Sequence, residues 1–270
     1  MRPLASPMWE ALPEHMAERI QASLRAGLDM WDRSKRCRLF FRADDIAVPG
    51  NQLTRLMALF VEYQAPLCLA VVPAWLTRQR WRCLEALARG NASLFCWHQH
   101  GWRHANHEKT GKKQEFGPGR SKARIRADLC QGRDRLKSLM GASFVPVFTP
   151  PWNRCSPETL AQLKPSGFLG VSRRTGASPP APPDLPDLSV NVDLHTRKEP
   201  DPASAWQALF KEIAEGIGSG TCGIMIHHRR MNPAGFLFLE SLLKVLSLEK
   251  GIRLCRFQDM MHGRIVDPVK

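Results

Sequence analysis

RLFFRADD, at residues 38–45, is a short apolar run that ends in two adjacent aspartates. Apolar and aromatic residues in such a run are typical of a buried β-strand. Further along the chain, runs of the same kind lie at residues 67–73, 93–98, 144–148, 168–172, 188–194, 222–227 and 252–257. The sequence therefore predicts about eight strands.

Helical patterns separate most of these runs, at residues 51–63, 78–89, 121–140, 156–164, 203–217 and 234–248. Strands that alternate with helices predict a parallel sheet with crossover connections, and seven or eight repeats favour closure of that sheet. We therefore predict an α/β fold, an irregular (β/α) barrel of about seven or eight strands.

The length of 270 residues fits a single domain over residues 1–270, because an α/β barrel can take up the whole chain. Apolar residues recur every four positions between residues 12 and 24, which predicts an N-terminal helix at about 13–29 that precedes the barrel. The proline-rich segment 176–187 is predicted to be a surface loop, since strand and helix patterns resume on both sides.

Composition excludes several classes of protein. A hydrophobic content of 43% and a charged content of 24% argue against a disordered or fibrous chain. The longest apolar run, residues 67–76, is far shorter than the ~20 residues that span a bilayer, and the N-terminus lacks the apolar stretch of an export signal. Eight cysteines are scattered singly with no C-x-x-C pair, which favours reduced thiols and a cytoplasmic location.

The chain is strongly basic, with 39 Lys and Arg against 25 Asp and Glu and a formal net charge of +14. Such a charge is compatible with a nucleic acid, an anionic membrane surface or an anionic small substrate. Residues 103–137 are the densest basic stretch, either a solvated surface or an anion-binding one.

Aspartates and histidines collect where the predicted strands end, which is where βα barrels place catalytic groups. The residues are Asp44, Asp45, His98, His100, Asp193, His195, His227 and His228, with His104 four positions after His100. Two imidazoles at this spacing can bind one metal ion if the segment makes a helical turn, with a carboxylate from another strand as third ligand. The adjacent second carboxylate is then a candidate general base, and a histidine across the barrel a candidate acid.

Four motifs, in this order, resemble those of the polysaccharide deacetylases, the chitooligosaccharide-deacetylase-like carbohydrate esterases of family four. They are RADD at 42–45, HGWRH at 100–104, FTPPW at 148–152 and IMIH at 224–227. The resemblance implies that Asp44 is the catalytic base, that Asp45, His100 and His104 bind a divalent metal, and that His227 is the general acid. It also implies an incomplete, distorted βα barrel, in agreement with the strand count.

The chain departs from that family pattern in two places. Phe148 stands where the family has an arginine that orients the catalytic aspartate, and Arg42, on the same face of its strand as Asp44, is the candidate replacement. The acidic residue that tunes the family's catalytic histidine is echoed only loosely, by Asp193.

The predicted substrate-binding residues are Trp102, Pro151, Trp152 and Arg42, with the tryptophans as candidates for stacking on a sugar ring or for core packing. His107, Glu108 and Glu115 lie just beyond the histidine motif, in a stretch that is either a lid over substrate or a mobile surface loop.

These observations predict a metal-dependent hydrolase, with zinc as the expected metal, that removes an N-acetyl or similar acyl group from a glycan or saccharide precursor. The expected partner is a saccharide, anionic if the basic stretch binds it, and neither a specific nucleic acid nor a membrane span is expected. The alternatives are hydrolysis of a non-sugar amide or formyl group, and a catalytically lapsed barrel that binds carbohydrate or nucleic acid.

Overall fold

The computed structural model describes residues 6–32 and 34–261, and its centre is a curled parallel sheet. The strands are β1 (Cys37–Ile46), β2 (Leu67–Val71), β3 (Phe95–His100), β4 (Phe144–Thr149), β5 (Gly170–Val171), β6 (Val192–Asp193), β7 (Thr221–Ile226) and β8 (Ile252–Leu254). Their order is β5-β4-β3-β2-β1-β7-β6, and β8 pairs with the start of β1. The predicted barrel of about eight strands is confirmed.

Helices connect the strands and cover the outside of the sheet. They are α1 (Met16–Met30), α2 (Asn51–Glu62), α3 (Arg78–Leu87), α4 (Lys122–Met140), α5 (Pro157–Leu163), α6 (Pro202–Gly218), α7 (Pro233–Leu248) and α8 (Phe257–Met261). The N-terminal α1 precedes β1 as predicted and packs against α6 and α7. Within residues 6–32 and 34–261, no helix combines the length and apolar composition needed to cross a bilayer.

Strand alternation divides the side chains between two cores. On β1, Leu39, Phe41 and Ala43 belong to the large cluster that includes residues of the outer helices, whereas Phe40 belongs to a smaller cluster inside the barrel. A Cβ at Gly223 would come within 2.4 Å of the Phe40 ring, so the glycine leaves space for that ring. Side chains fill the lower barrel, and the mouth at the carboxyl ends of the strands is left for polar groups.

Two strands, β5 and β6, have two residues each, shorter than the predicted 168–172 and 188–194. The segment 187–194 takes the place of longer strands here and is held by irregular backbone hydrogen bonds. Leu188 and Val190 donate to the carbonyls of Val171 and Arg173, while Asn191 donates to that of Gly223. These bonds join the two ends of the sheet and close the barrel without a regular strand.

Candidate metal centre and active site

Both aspartates of the RADD motif lie at the mouth of the barrel. Asp44 continues the inward alternation of Phe40 and Arg42, and Asp45 would ordinarily point to the opposite face. The register between β1 and β2 shifts between Ala43 and Ile46, and Asp45 adopts a φ of 63°. This irregularity, in the left-handed region that aspartate tolerates, brings the second carboxylate to the mouth as well.

Asp45, His100 and His104 form a compact triad of ligand atoms, all within 4.8 Å of one another. Asp45 Oδ1 lies 3.4 Å from Nε2 of His100 and 3.2 Å from Nε2 of His104, and it has no well-directed hydrogen bond to either ring. Burial raises the pKa of Asp45, but the neighbouring imidazoles outweigh that effect and lower the pKa well below its usual range.

The His100 ring is held by its other nitrogen. Its Nδ1 lies 3.0 Å from the carbonyl oxygen of Thr149, the last residue of β4. Because a carbonyl only accepts, Nδ1 donates its proton to it, which directs Nε2 toward Asp45 and His104. Burial lowers the pKa of this ring, but Asp45 and Asp44 outweigh that effect and raise it, and a metal ion would take the place of the proton on Nε2. This arrangement is typical of a histidine that binds a metal.

The segment between the two histidines is a loop, so the helical turn that the sequence argument gave as the condition for a shared metal is not formed. Gly101 and His104 both adopt positive φ, 57° and 58°, and a Cβ at Gly101 would come within 2.1 Å of Glu115 Oε2. Two left-handed residues, rather than a turn of helix, therefore bring His104 beside His100.

Glu115 fixes this loop from behind. Its side chain is fully buried, with Oε2 accepting from the backbone N–H of Trp102 at 3.1 Å and Oε1 from that of Arg103 at 2.6 Å. The sequence placed Glu115 in a lid or a mobile loop, and the structure instead shows an internal support of the histidine loop. The sequence held no signal that separated Glu115 from the other acidic residues of the stretch 103–137, which are Glu108, Asp128 and Asp134.

Arg42 holds Asp44 in a two-pronged ion pair, with Nε to Oδ1 at 2.8 Å and Nη2 to Oδ2 at 2.9 Å. Both side chains are buried. Arg42 also donates to Ser172 Oγ at 2.9 Å and to Asn153 Oδ1 at 2.7 Å. Its planar guanidinium is thus fixed by groups from three strand ends. Sequence reasoning missed both Ser172, the last residue of the predicted strand 168–172, and Asn153, which lies five residues after the predicted strand 144–148.

This geometry agrees with Arg42 replacing the charge that is missing at Phe148, and it leaves Arg42 buried rather than facing substrate. Burial raises the pKa of Asp44, but the charge of Arg42, with those of His100 and His227, lowers it overall. Asp44 is therefore ionised at neutral pH. Phe148 packs in an apolar cluster with Phe116 and Phe168.

The two histidines after β7 differ in their surroundings. His227 lines a cleft at the mouth of the barrel, and its Nδ1 is buried with no hydrogen-bond partner in the described part of the chain. His228 is buried, and burial lowers the pKa of its ring to about 4, so that ring is neutral at physiological pH.

Asp193 does not bond to His227. Its Oδ1 accepts from the backbone N–H groups of His195 and Thr196, at 2.9 and 3.0 Å. His195 is buried against the ring of Trp9, at 5.5 Å between ring centroids, and burial lowers its pKa well below the usual value. Asp193, the expected acidic partner of the catalytic histidine, therefore binds the backbone of the loop that follows it instead.

The predicted substrate-binding residues separate into two groups. Trp102 is 7% exposed and packs in the apolar cluster with Phe116, which agrees with core packing rather than stacking on sugar. Pro151 is buried behind Gly101. Trp152 lies at the mouth, with its ring centroid 4.6 Å from that of His104, and lines the cleft beside His227. Of the four, Trp152 is in a position to contact a ligand.

The donor set of the triad fits a divalent transition metal. Two imidazole nitrogens and one carboxylate oxygen are the three-ligand pattern of catalytic sites that keep a coordination position open. The buried Oδ1 of Asp45, without a hydrogen-bond partner in the described residues, supports the fit because an ion would satisfy it. Asp44, bound to Arg42, remains beside the triad and outside it.

Comparison with known proteins gives no match to a protein-family model and no match to a curated protein. Solved structures do match. A candidate polysaccharide deacetylase from Mycobacterium smegmatis has a TM-score of 0.63 at 16% identity, over 86% of this chain and 91% of that chain.

A family 4 acetyl xylan esterase from Clostridium thermocellum, in complex with a cobalt ion, has a TM-score of 0.52 at 13% identity, over 78% of this chain and 84% of that chain. A CE4 family pseudoenzyme from Bacillus anthracis has a TM-score of 0.56 at 12% identity, over 85% of this chain and 66% of that chain. The protein thus has the fold of the CE4 polysaccharide deacetylases and esterases.

Proposed function

We propose that this protein is a metal-dependent hydrolase that removes an N-acetyl or similar acyl group from a glycan or saccharide precursor. One observation carries the proposal. The triad of Asp45, His100 and His104 lies at the same mouth of the barrel as Asp44, which is bound to Arg42. The CE4-type fold supports it, since solved proteins of this fold include a candidate polysaccharide deacetylase and an acetyl xylan esterase.

In this proposal zinc is the resident metal, held by Asp45, His100 and His104. When bound there, it would lower the pKa of a water molecule and polarise the acyl carbonyl. The eight cysteines are all free thiols, and six of them are buried, which supports a cytoplasmic location for the protein.

The remaining steps belong to side chains of this chain. Asp44, kept ionised and oriented by Arg42, accepts the proton of the attacking water. His227 then donates a proton to the nitrogen that leaves as an amine, because an unprotonated amide nitrogen is a poor leaving group. Trp152 borders the path between His104 and the cleft and contacts the saccharide.

The direct test is release of acetate from N-acetylglucosamine oligomers by the purified, zinc-loaded protein. We expect chelation to remove the activity and added zinc to restore it. An N-acetylated amino acid serves as the non-sugar amide. Hydrolysis of that compound alone would contradict the saccharide assignment, and inactivity of fully zinc-loaded protein on every substrate would favour a pseudoenzyme.

His227 and His228 provide a matched pair for the acid step. We expect His227→Ala to retain metal and to lose most of kcat together with the alkaline limb of the pH profile of kcat/KM. We expect His228→Ala to keep the shape of the profile, because its ring has a pKa of about 4 and stays neutral across the assay range.

The low pKa of Asp44 also bears on this profile. An aspartate whose pKa is lowered in the folded protein stays ionised until the pH falls below the ordinary value of about 3.9. Asp44 therefore contributes no limb between pH 5 and 8.

An activated ester, whose leaving group needs no proton, tests proton donation by His227 directly. We expect His227→Ala to hydrolyse the ester at close to the wild-type rate. Equal impairment on ester and amide would exclude proton donation.

A further inference from the structure

A cleft of about 480 Å³ opens beside the proposed active site. It runs from Trp152 and His227, at the mouth of the barrel, along the loops that follow β4, β5 and β6. Its volume is in the range of small-molecule sites in proteins, roughly 300–1,000 Å³. A saccharide whose acyl group lies at the triad would extend into this cleft.

Three basic side chains of the cleft are available to a ligand: Arg154, Arg174 and Lys198. Among the described residues, the side chains of Arg174 and Lys198 form no hydrogen bond or ion pair, and both residues are exposed. Arg154 has one long contact, from Nη1 to the carbonyl oxygen of Lys113 at 3.4 Å. Within residues 6–32 and 34–261, none of the three cations forms an ion pair with a carboxylate.

The acidic residues of the cleft, unlike these three cations, have charged or hydrogen-bonding partners within the protein. Glu212 lies 2.6 Å from Arg197 Nη1, and Glu199 pairs with the same guanidinium. Asp193 accepts two backbone N–H groups, as described above. The acids are thus committed to internal partners.

The loop around Lys113, which adjoins Arg154, is basic as well. Lys109, Lys112 and Lys113 are all exposed there, and the Lys113 carbonyl is the group that Arg154 contacts. These lysines lie within the basic stretch 103–137, and the contact between Lys113 and Arg154 joins that stretch to the edge of the cleft. The summed potential favours a negatively charged ligand on this side of the mouth.

We propose that the substrate is an anionic saccharide, and that Arg154, Arg174 and Lys198 bind its carboxylate or phosphate group while the acyl group lies at the triad. This inference rests on the proposed function for the identity of the acyl group, but the anion site itself rests on the cleft. Arginine guanidinium groups suit this role because their paired N–H donors match the oxygens of a carboxylate or phosphate.

The test measures binding of three deacylated sugars, which cannot be hydrolysed: glucosamine, muramic acid and glucosamine 1-phosphate. They share the amine, and the last two add a carboxylate or a phosphate. We expect each anionic sugar to bind the zinc-loaded protein at least about tenfold more tightly than glucosamine in calorimetric titrations, a difference of one decade in Kd. The tighter binder of the two identifies the source of the anion.

We expect Arg154→Ala and Arg174→Ala each to reduce that preference about fivefold or more, as loss of a charge-assisted hydrogen bond predicts. Arg126→Ala, which removes an exposed arginine on α4, is the matched control and should keep the preference. Equal affinity for all three sugars, or equal effects of the three substitutions, would overturn the proposal. Anion preference without any acyl hydrolysis would instead leave the cleft proposal standing and contradict the proposed function.

Discussion

Asp44→Asn is expected to lower kcat about 10²-fold or more, the loss typical of a missing general base, while the protein stays folded and keeps its metal. The asparagine has the size of the aspartate and can still accept one hydrogen bond from Arg42. It cannot accept a proton from water, and it leaves the buried guanidinium of Arg42 without its counter-charge. Turnover per bound zinc and the melting temperature are the two measurements.

Asp128→Asn is the matched control for this prediction. Asp128 also pairs with an arginine, Arg120 at 2.7 Å, but lies on α4 and outside the triad. We expect the control to keep wild-type turnover. If Asp44→Asn instead lost its metal and kept full turnover per remaining ion, the roles of Asp44 and Asp45 would be reversed.

Alanine at Asp45, His100 or His104 is expected to weaken zinc binding by more than about 10²-fold, because outer partners of metal ligands alone contribute 10- to 100-fold. Each substitution removes one of three ligand atoms that lie within 4.8 Å of one another. Zinc content after dialysis against a competing chelator measures the effect independently of catalysis.

His107→Ala provides the comparison within the same loop. His107 is exposed, and its backbone N–H bonds to the Gln114 carbonyl at 2.9 Å, so removal of its ring should leave zinc binding unchanged. Full zinc content in all three triad variants would refute the metal site.

Local patterns in the sequence were sufficient for the strand order along the chain and for the polar residues at strand ends. β1 illustrates why. Its apolar residues predict the strand, and the placement of Arg42 and Asp44 two residues apart predicts which face points inward. The Arg42–Asp44 pair follows from the same two-residue spacing.

The features that sequence reasoning missed depend on contacts between distant segments. The positive φ of Asp45 and His104 follows from a bulge and a loop that no residue pattern marks. Trp102 is buried in the apolar cluster that also contains Phe116, and Glu115 supports the histidine loop from 11 residues beyond His104. A tryptophan beside a metal motif can face the core or the substrate, and only the packing around it decides between the two.

The position of β1 has a consequence for how the protein folds in the cell. This strand pairs with β2 next to it in the chain, but its other edge pairs with β7, and its first residues pair with β8. Arg38 bonds with Thr221, 183 residues later. At synthesis rates of about 5–20 residues per second, a nascent chain waits roughly 10–40 s for that partner strand to be made. Throughout that interval one edge of the strand that carries both aspartates has no native partner, so we expect early handling by chaperones and slow folding dominated by long-range pairing.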